Sequence, residues 1–226
     1  MRIALNARIL QAPRTGIGHY VAELVNALHA ETDIELALFH GWGWSSQLPQ
    51  AAMPGYSRLT PLLRQIPGAY QARRWLEQKR FDQGPAQPVD LYHEPSLWPL
   101  AFDGPTVITL HDLTHLHFPD TQPQARLREI ERRLADGIQQ AQVILTDSQA
   151  IADEAQRYFG LPAERFVVAP LGVAERFHPR EPQAIDAVLK AHAVEAGEYF
   201  LCVGTLEPRK NLSLALRAHA LLPEAV

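Results

Sequence analysis

Short apolar runs alternate with amphipathic stretches through most of the chain. Residues 3–5 in "RIALNAR" have the pattern of a buried strand, and in "TGIGHYVAELVNALHA" the residues Ile17, Tyr20, Val21, Leu24 and Leu28 recur at helical spacing. "DIELALFH" alternates as a second strand. Further strand patterns follow in "PVDLYHEP", "PTVITLHD", "QVILTDS" and "RFVVAPLGV", separated by the helical periods of "QPQARLREIERRLADGIQQ" and "SQAIADEAQRYFG". In the last of these, Ser148 is the expected N-cap and Gly160, ahead of Leu161-Pro162, the expected stop. Strands that alternate with helices predict a parallel sheet in a doubly wound α/β domain. Ligands of such sheets bind beyond the carboxyl ends of the strands, so the residues that follow each strand are where chemistry is to be sought.

Two stretches break the alternation. Residues 41–86 are irregular, apart from a basic helical candidate around Ala69–Arg80. Residues 174–183, "AERFHPREPQ", are polar and proline-containing and read as a linker. Beyond it come a helical stretch (Ala184–Val194), a strand opening "YFLCVGTLEPRKNLSLALRAHA" and one more helix. One strand with two helices cannot bury a core of its own. The expected division is therefore residues 1–175 as a first domain and 176–226 as the linker and start of a second, cut short.

Composition narrows the class. Hydrophobic residues make up 46% and charged residues 20% of the 226, which is globular usage and argues against extended disorder. A formal net charge of −4 leaves no overall basic field to draw the protein to nucleic acid. The single Cys202 excludes an intramolecular disulfide and fits a reducing cytoplasm. No apolar run approaches the ~20 residues that a membrane helix needs. "MRIALNARIL" has too short an apolar core for a secretion signal.

The strand ends hold the candidate chemistry. After the first strand, Gly16 and Gly18 open a helix, with His19 beside them, where backbone N–H groups can meet an anion or a sugar hydroxyl; a plain tight turn is the alternative. A dinucleotide fingerprint is absent, because its third glycine position is Val21 and the second strand ends in Phe39-His40 without an acid. "HEPS" places His93 and Glu94 after the third strand, as cleft candidates or a polar rim. His111 and Asp112 follow Val107–Leu110 directly, and Asp112 is within reach to orient an imidazole. The cluster of His111, Asp112, His115 and His117 lacks a helical His-Glu-x-x-His frame and a cysteine, which disfavours a metal. Ser148 is a cleft candidate as well as a cap. In "VGTLEPRKN", Gly204 and Thr205 precede Arg209 and Lys210, a cation pair at a helix start that suits a diphosphate. A solvated loop in which Glu207 neutralises Arg209 is the competing reading.

Taken in order, "TGIGHY", "VITLHDL", "VILTDSQAIADEAQRYFGLPAERFVVAPLGVAERFHP" and "VGTLEPRKNL" resemble the retaining glycosyltransferases of family 4, which have the GT-B fold. The likeness covers nearly the whole chain apart from residues 41–86. It implies two Rossmann-like domains facing across a cleft, the first binding mainly acceptor and the second a nucleotide sugar. By that likeness Arg209 and Lys210 hold the donor diphosphate, His111 lies near the transferred sugar, and the Gly16–Gly18 loop near the donor phosphate and acceptor. No metal or other cofactor is implied. Thr205 departs from the pattern, since many relatives have an arginine there. Subgroups with "GTLEPRKN" are mannosyl- or rhamnosyl-type transferases of surface-polysaccharide assembly, so the resemblance implies a GDP-linked donor, a glycan or lipid-linked acceptor and a cytoplasmic site at the inner face of the membrane. The chain ends before the family's acidic motif, and alone it is expected to be inactive. Peripheral membrane contact falls to Trp42, Trp44 and "ARRWLEQKR", with a place in the core as the alternative for the aromatics. The rival from another class is a non-catalytic α/β module that binds a glycan or a protein.

Overall fold

Seven strands pair into one sheet: Arg2–Asn6 (β1), Glu35–Phe39 (β2), Trp44–Ser45 (β3), Leu91–Glu94 (β4), Thr106–Leu110 (β5), Val143–Thr146 (β6) and Phe166–Val168 (β7). Their order is β3-β2-β1-β4-β5-β6-β7. Every neighbouring pair is parallel except β2 with β3, a two-residue antiparallel edge that the hydrophobic pattern does not reveal. The computed structural model describes residues 1–14, 16–48, 69–121 and 124–222. Thr15 of "TGIGHY", the first two residues of "QPQARL" as far as Gln122 and Pro123, and residues 49–68 of the irregular stretch lie outside the described residues, as does the end of the chain.

Alternation along the strands explains why both faces are covered. Ile3 and Leu5 of β1 and Leu36 and Leu38 of β2 bury against Val21, Ala22 and Val25 of α1 (Gly16–Ala30). Ala4, Phe39 and Tyr92 point to the other face and meet Phe81 of α2 (Ala69–Phe81). Trp44 joins that aromatic group, with ring centroids 5.1 Å from both Phe39 and Phe81, so it is a core residue and not a membrane contact. After the short α3 (Thr114–His117), α4 (Gln124–Gln140) lays Leu134 and Ile138 on Ile108 and Leu110. Gly137 permits that approach, since a Cβ there would lie 2.7 Å from the Pro99 side chain. In α5 (Gln149–Phe159), Ser148 Oγ accepts from Ile151 N, and Gly160 closes the helix at φ 65°, in agreement with both sequence signals.

The chain divides into two compact units, Met1–His117 with Gln124–Leu171 and Phe118–Pro123 with Gly172–Val226. The sheet belongs to the first. In the second, residues 172–181 carry neither helix nor strand, and α6 (Pro182–Ala191) and α7 (Leu212–His219) are its α-helices. The strand expected at Tyr199–Val203 does not form. A strand exists only with a ladder partner, and none of the described residues of this unit supplies one; Leu201 and Val203 are left exposed. Among the described residues no helix is long and apolar enough to cross a membrane.

Candidate functional site

Because β1, β4, β5 and β6 run parallel, their last residues line one edge of the sheet. Leu110 pairs with Thr146 in the register, so the residues that follow them, His111 and Asp147, emerge side by side. His111 Nδ1 lies 2.9 Å from Asp147 Oδ2 and 3.1 Å from Oδ1, while Nε2 lies 3.3 Å from the Pro95 carbonyl oxygen. Tyr20 of α1 stands edge-on to the imidazole, at 4.6 Å between centroids. Its hydroxyl lies 3.2 Å from Thr109 Oγ1, which in turn is 2.8 Å from His93 Nε2. The His111 side chain keeps 11% exposure and that of Asp147 22%, so the pair is sunk in the edge but reaches its surface.

The geometry has chemical consequences. A carboxylate across Nδ1 fixes the ring's rotation and its Nδ1–H, leaving Nε2 as the working nitrogen. With both nitrogens protonated, the ring donates to Asp147 and to an oxygen at Nε2. His93 is held neutral behind it: burial, and then the charge of His111, bring its pKa down to about 4. Burial also raises the Tyr20 phenol. The site is thus a single orientable imidazole backed by groups that stay uncharged.

The other candidates are distributed differently. Asp112 does not orient His111; its Oδ1 accepts from Thr114 N at 2.9 Å and starts α3. Glu94 is no cleft wall. It is fully buried and accepts from Asn6 Nδ2 (2.6 Å) and Tyr92 OH (2.7 Å) at Oε2, and from Ser96 Oγ (2.6 Å) and N (3.0 Å) at Oε1. This knot ties the ends of β1 and β4 to the loop that follows, and burial still leaves the carboxyl's pKa raised. Ser148 is an exposed cap. Gly16 and Gly18 open α1, the helix whose Tyr20 meets His111, and His19 is exposed there. His115 is buried, and burial lowers its pKa; His117 pairs with Glu154. Among the described residues no three of His, Cys, Asp and Glu converge as metal ligands. Asp147, Tyr20 and Thr109 are the residues that motif reading missed. Consecutive parallel strands are usually neighbours, so setting "TLHD" against "LTDS" would have paired His111 with Asp147.

In the second unit, Thr205 Oγ1 donates to Glu207 Oε1 at 2.7 Å and Arg209 Nε to Oε2 at 2.6 Å. These bonds, Thr205 first, hold the Glu207 carboxyl below its usual range. A 3₁₀ turn, Pro208–Lys210, leads through Asn211 (φ 48°) into α7, with Gly204 and Lys210 exposed. The pairing of Glu207 with Arg209 therefore exists, and it also gives Thr205 a role in shaping the loop.

Residues 14–177 match the family model described as Glycosyltransferase Family 4. Over 231 aligned residues the chain is 33% identical to the O-antigen chain mannosyltransferase B of Escherichia coli, an alignment that takes in 99% of this chain. The chain spans 61% of the length of that relative.

Proposed function

The chain belongs to glycosyltransferase family 4, and on that premise we propose that the protein transfers a hexose of the mannose or rhamnose type from a nucleotide diphosphate sugar, with retention at the anomeric carbon. The first choice of donor is GDP-linked. The acceptor is a glycan or lipid-linked glycan in surface-polysaccharide assembly, met at the cytoplasmic face of a membrane. The observation that carries this reading is the likeness to a mannosyltransferase over nearly all of the chain.

The candidates that the framework does not take up then have tasks. Arg209 and Lys210, on a loop shaped by Gly204, Thr205 and Glu207, hold the donor diphosphate and stabilise the charge that builds on it as the glycosyl bond breaks. Arg209 exchanges its bond to Glu207 for the phosphate or shares its fork between them. His111 presents Nε2 to a hydroxyl of the transferred sugar, and Asp147 holds the ring for that contact. Gly16, Gly18 and His19 lie on the side of donor phosphate and acceptor. Residues 1–175 form the acceptor side, and 176–226 begin the donor side.

The test is donor binding by calorimetry, using protein expressed from its whole gene. GDP-mannose should bind, and Arg209→Ala with Lys210→Ala should weaken it. Failure to bind any GDP- or UDP-sugar would favour the rival reading, a non-catalytic module for a glycan or protein.

A further inference from the structure

Helix α2 carries its charges the wrong way round. Arg74 and Glu77 are each only 1% exposed, whereas Trp75 is 60% and Leu76 40% exposed. The buried charges are held: Glu77 pairs with Arg8 at 2.5 Å and with Arg73 at 3.0 Å, Arg74 Nη2 donates to Pro99 O at 3.3 Å, and the Arg8 and Arg74 guanidiniums lie over the Trp98 ring. This network fixes the helix's rotation, so the outward apolar residues do not result from a loosely placed helix.

Ala72, Trp75, Leu76 and Lys79 are all exposed and follow helical i, i+3, i+4, i+7 spacing, so they form one stripe, with Arg80 exposed beside it. Lys79 Nζ lies 4.9 Å from the centre of the Trp75 ring. The loop after β2 meets the helix on its buried side, since a Cβ on Gly41 would lie 3.9 Å from Glu77 Oε1. The stripe thus combines the Trp75 indole and a leucine with two neighbouring cations, on a chain whose net charge is −4.

We infer that the exposed face of α2 rests on an anionic phospholipid surface, with Trp75 and Leu76 entering the headgroup boundary and Lys79 and Arg80 pairing with lipid phosphates. Indoles favour that boundary because their apolar body and N–H are both accommodated there, and cations next to them gain from anionic headgroups. A second copy of the chain fits less well, because a two-fold contact through this stripe would bring the Lys79 and Arg80 of both copies into one small interface, where their desolvation is costly. The inference deepens the proposed function and rests on it only for its purpose, the presentation of a lipid-linked acceptor.

The experiment is flotation of the full chain with vesicles of phosphatidylcholine, with and without phosphatidylglycerol, alongside the Trp75→Ser/Leu76→Ser and Lys79→Glu/Arg80→Glu pairs. All four positions are exposed, and melting curves followed by circular dichroism check the fold; should the apolar pair melt early, the charge pair carries the test. Binding to the anionic vesicles, weakened about tenfold or more by either pair and reduced by salt, is the expected result. Four results would overturn it: no vesicle binding, binding that neither pair changes, equal binding to both vesicle types, or a dimer in light scattering that either pair dissolves. The vesicles hold neither donor nor sugar acceptor, so failure here leaves the transfer reading intact, and failure of donor binding leaves this one intact.

Discussion

The buried His93 should give the fold a pH dependence that a single substitution removes. Its pKa of about 4 in the folded chain compares with 6.5 in its ordinary state, because burial and then the charge of His111 disfavour the imidazolium. The folded value is the lower one, so the unfolded chain takes up the proton first as pH falls. Stability is therefore full above about pH 6.5, falls through the window down to about 4, and then levels off. The whole window is worth about 3 kcal/mol at ~1.36 kcal/mol per unit, and the interval from pH 7 to pH 5 about 2 kcal/mol. His93→Gln abolishes the titration while keeping an amide that can bond Thr109 Oγ1. Urea unfolding of both proteins at pH 7 and pH 5 gives a double difference, in which the other histidines and any fixed cost of the glutamine cancel. The natural protein should lose about 2 kcal/mol more than the variant over that interval. Equal losses would show that His93 is not held neutral and would refute the reasoning.

Other outcomes follow from the same geometry. Glu94→Ala strands the donors of Asn6, Tyr92 and Ser96 and should cost about 3 kcal/mol or more of stability; Glu94→Gln should cost less, and a loss under about 1 kcal/mol in the alanine variant would contradict the knot. In the transfer reaction, His111→Ala should lower kcat by about 10²-fold with an unchanged melting temperature. Asp147→Asn should act in the same direction by less, whereas an equal loss of stability would mean both residues are structural. Replacing Arg209 and Lys210 together by Ala should weaken donor binding by about 2–5 kcal/mol, and unchanged affinity in calorimetry would mark the cluster as a surface loop.

Local signals accounted for the helices and the parallel strands, since burial periodicity and the Ser148 and Gly160 caps act over a few residues. What depends on pairing was less legible. The β3 edge is two residues long and has no period to detect. Tyr199–Val203 has the apolar composition of a strand, but composition cannot supply a ladder partner. At the site, His111 was found by its position after a strand, yet its partner was sought next to it in sequence. Asp112 serves its own turn, and the sheet register brings Asp147 to the ring from 36 residues away. Glu94 illustrates the converse: a carboxylate at a strand end reads as chemistry until its bonds to Asn6, Tyr92 and Ser96 show that it holds the framework. The inverted α2 was invisible to a polarity pattern, because its buried Arg74 and Glu77 are placed by ion pairing, while Trp75 stays exposed with Lys79 over its ring.

The most direct test of the proposed transfer is the configuration of its product. Protein expressed from the whole gene is incubated with GDP-mannose and a lipid-linked glycan acceptor, and the new linkage is examined by the anomeric carbon–proton coupling in nuclear magnetic resonance. An α-mannosyl linkage, the donor's own configuration, is the expected result; a β-linked product, or no transfer from any GDP- or UDP-sugar by folded protein, would contradict it.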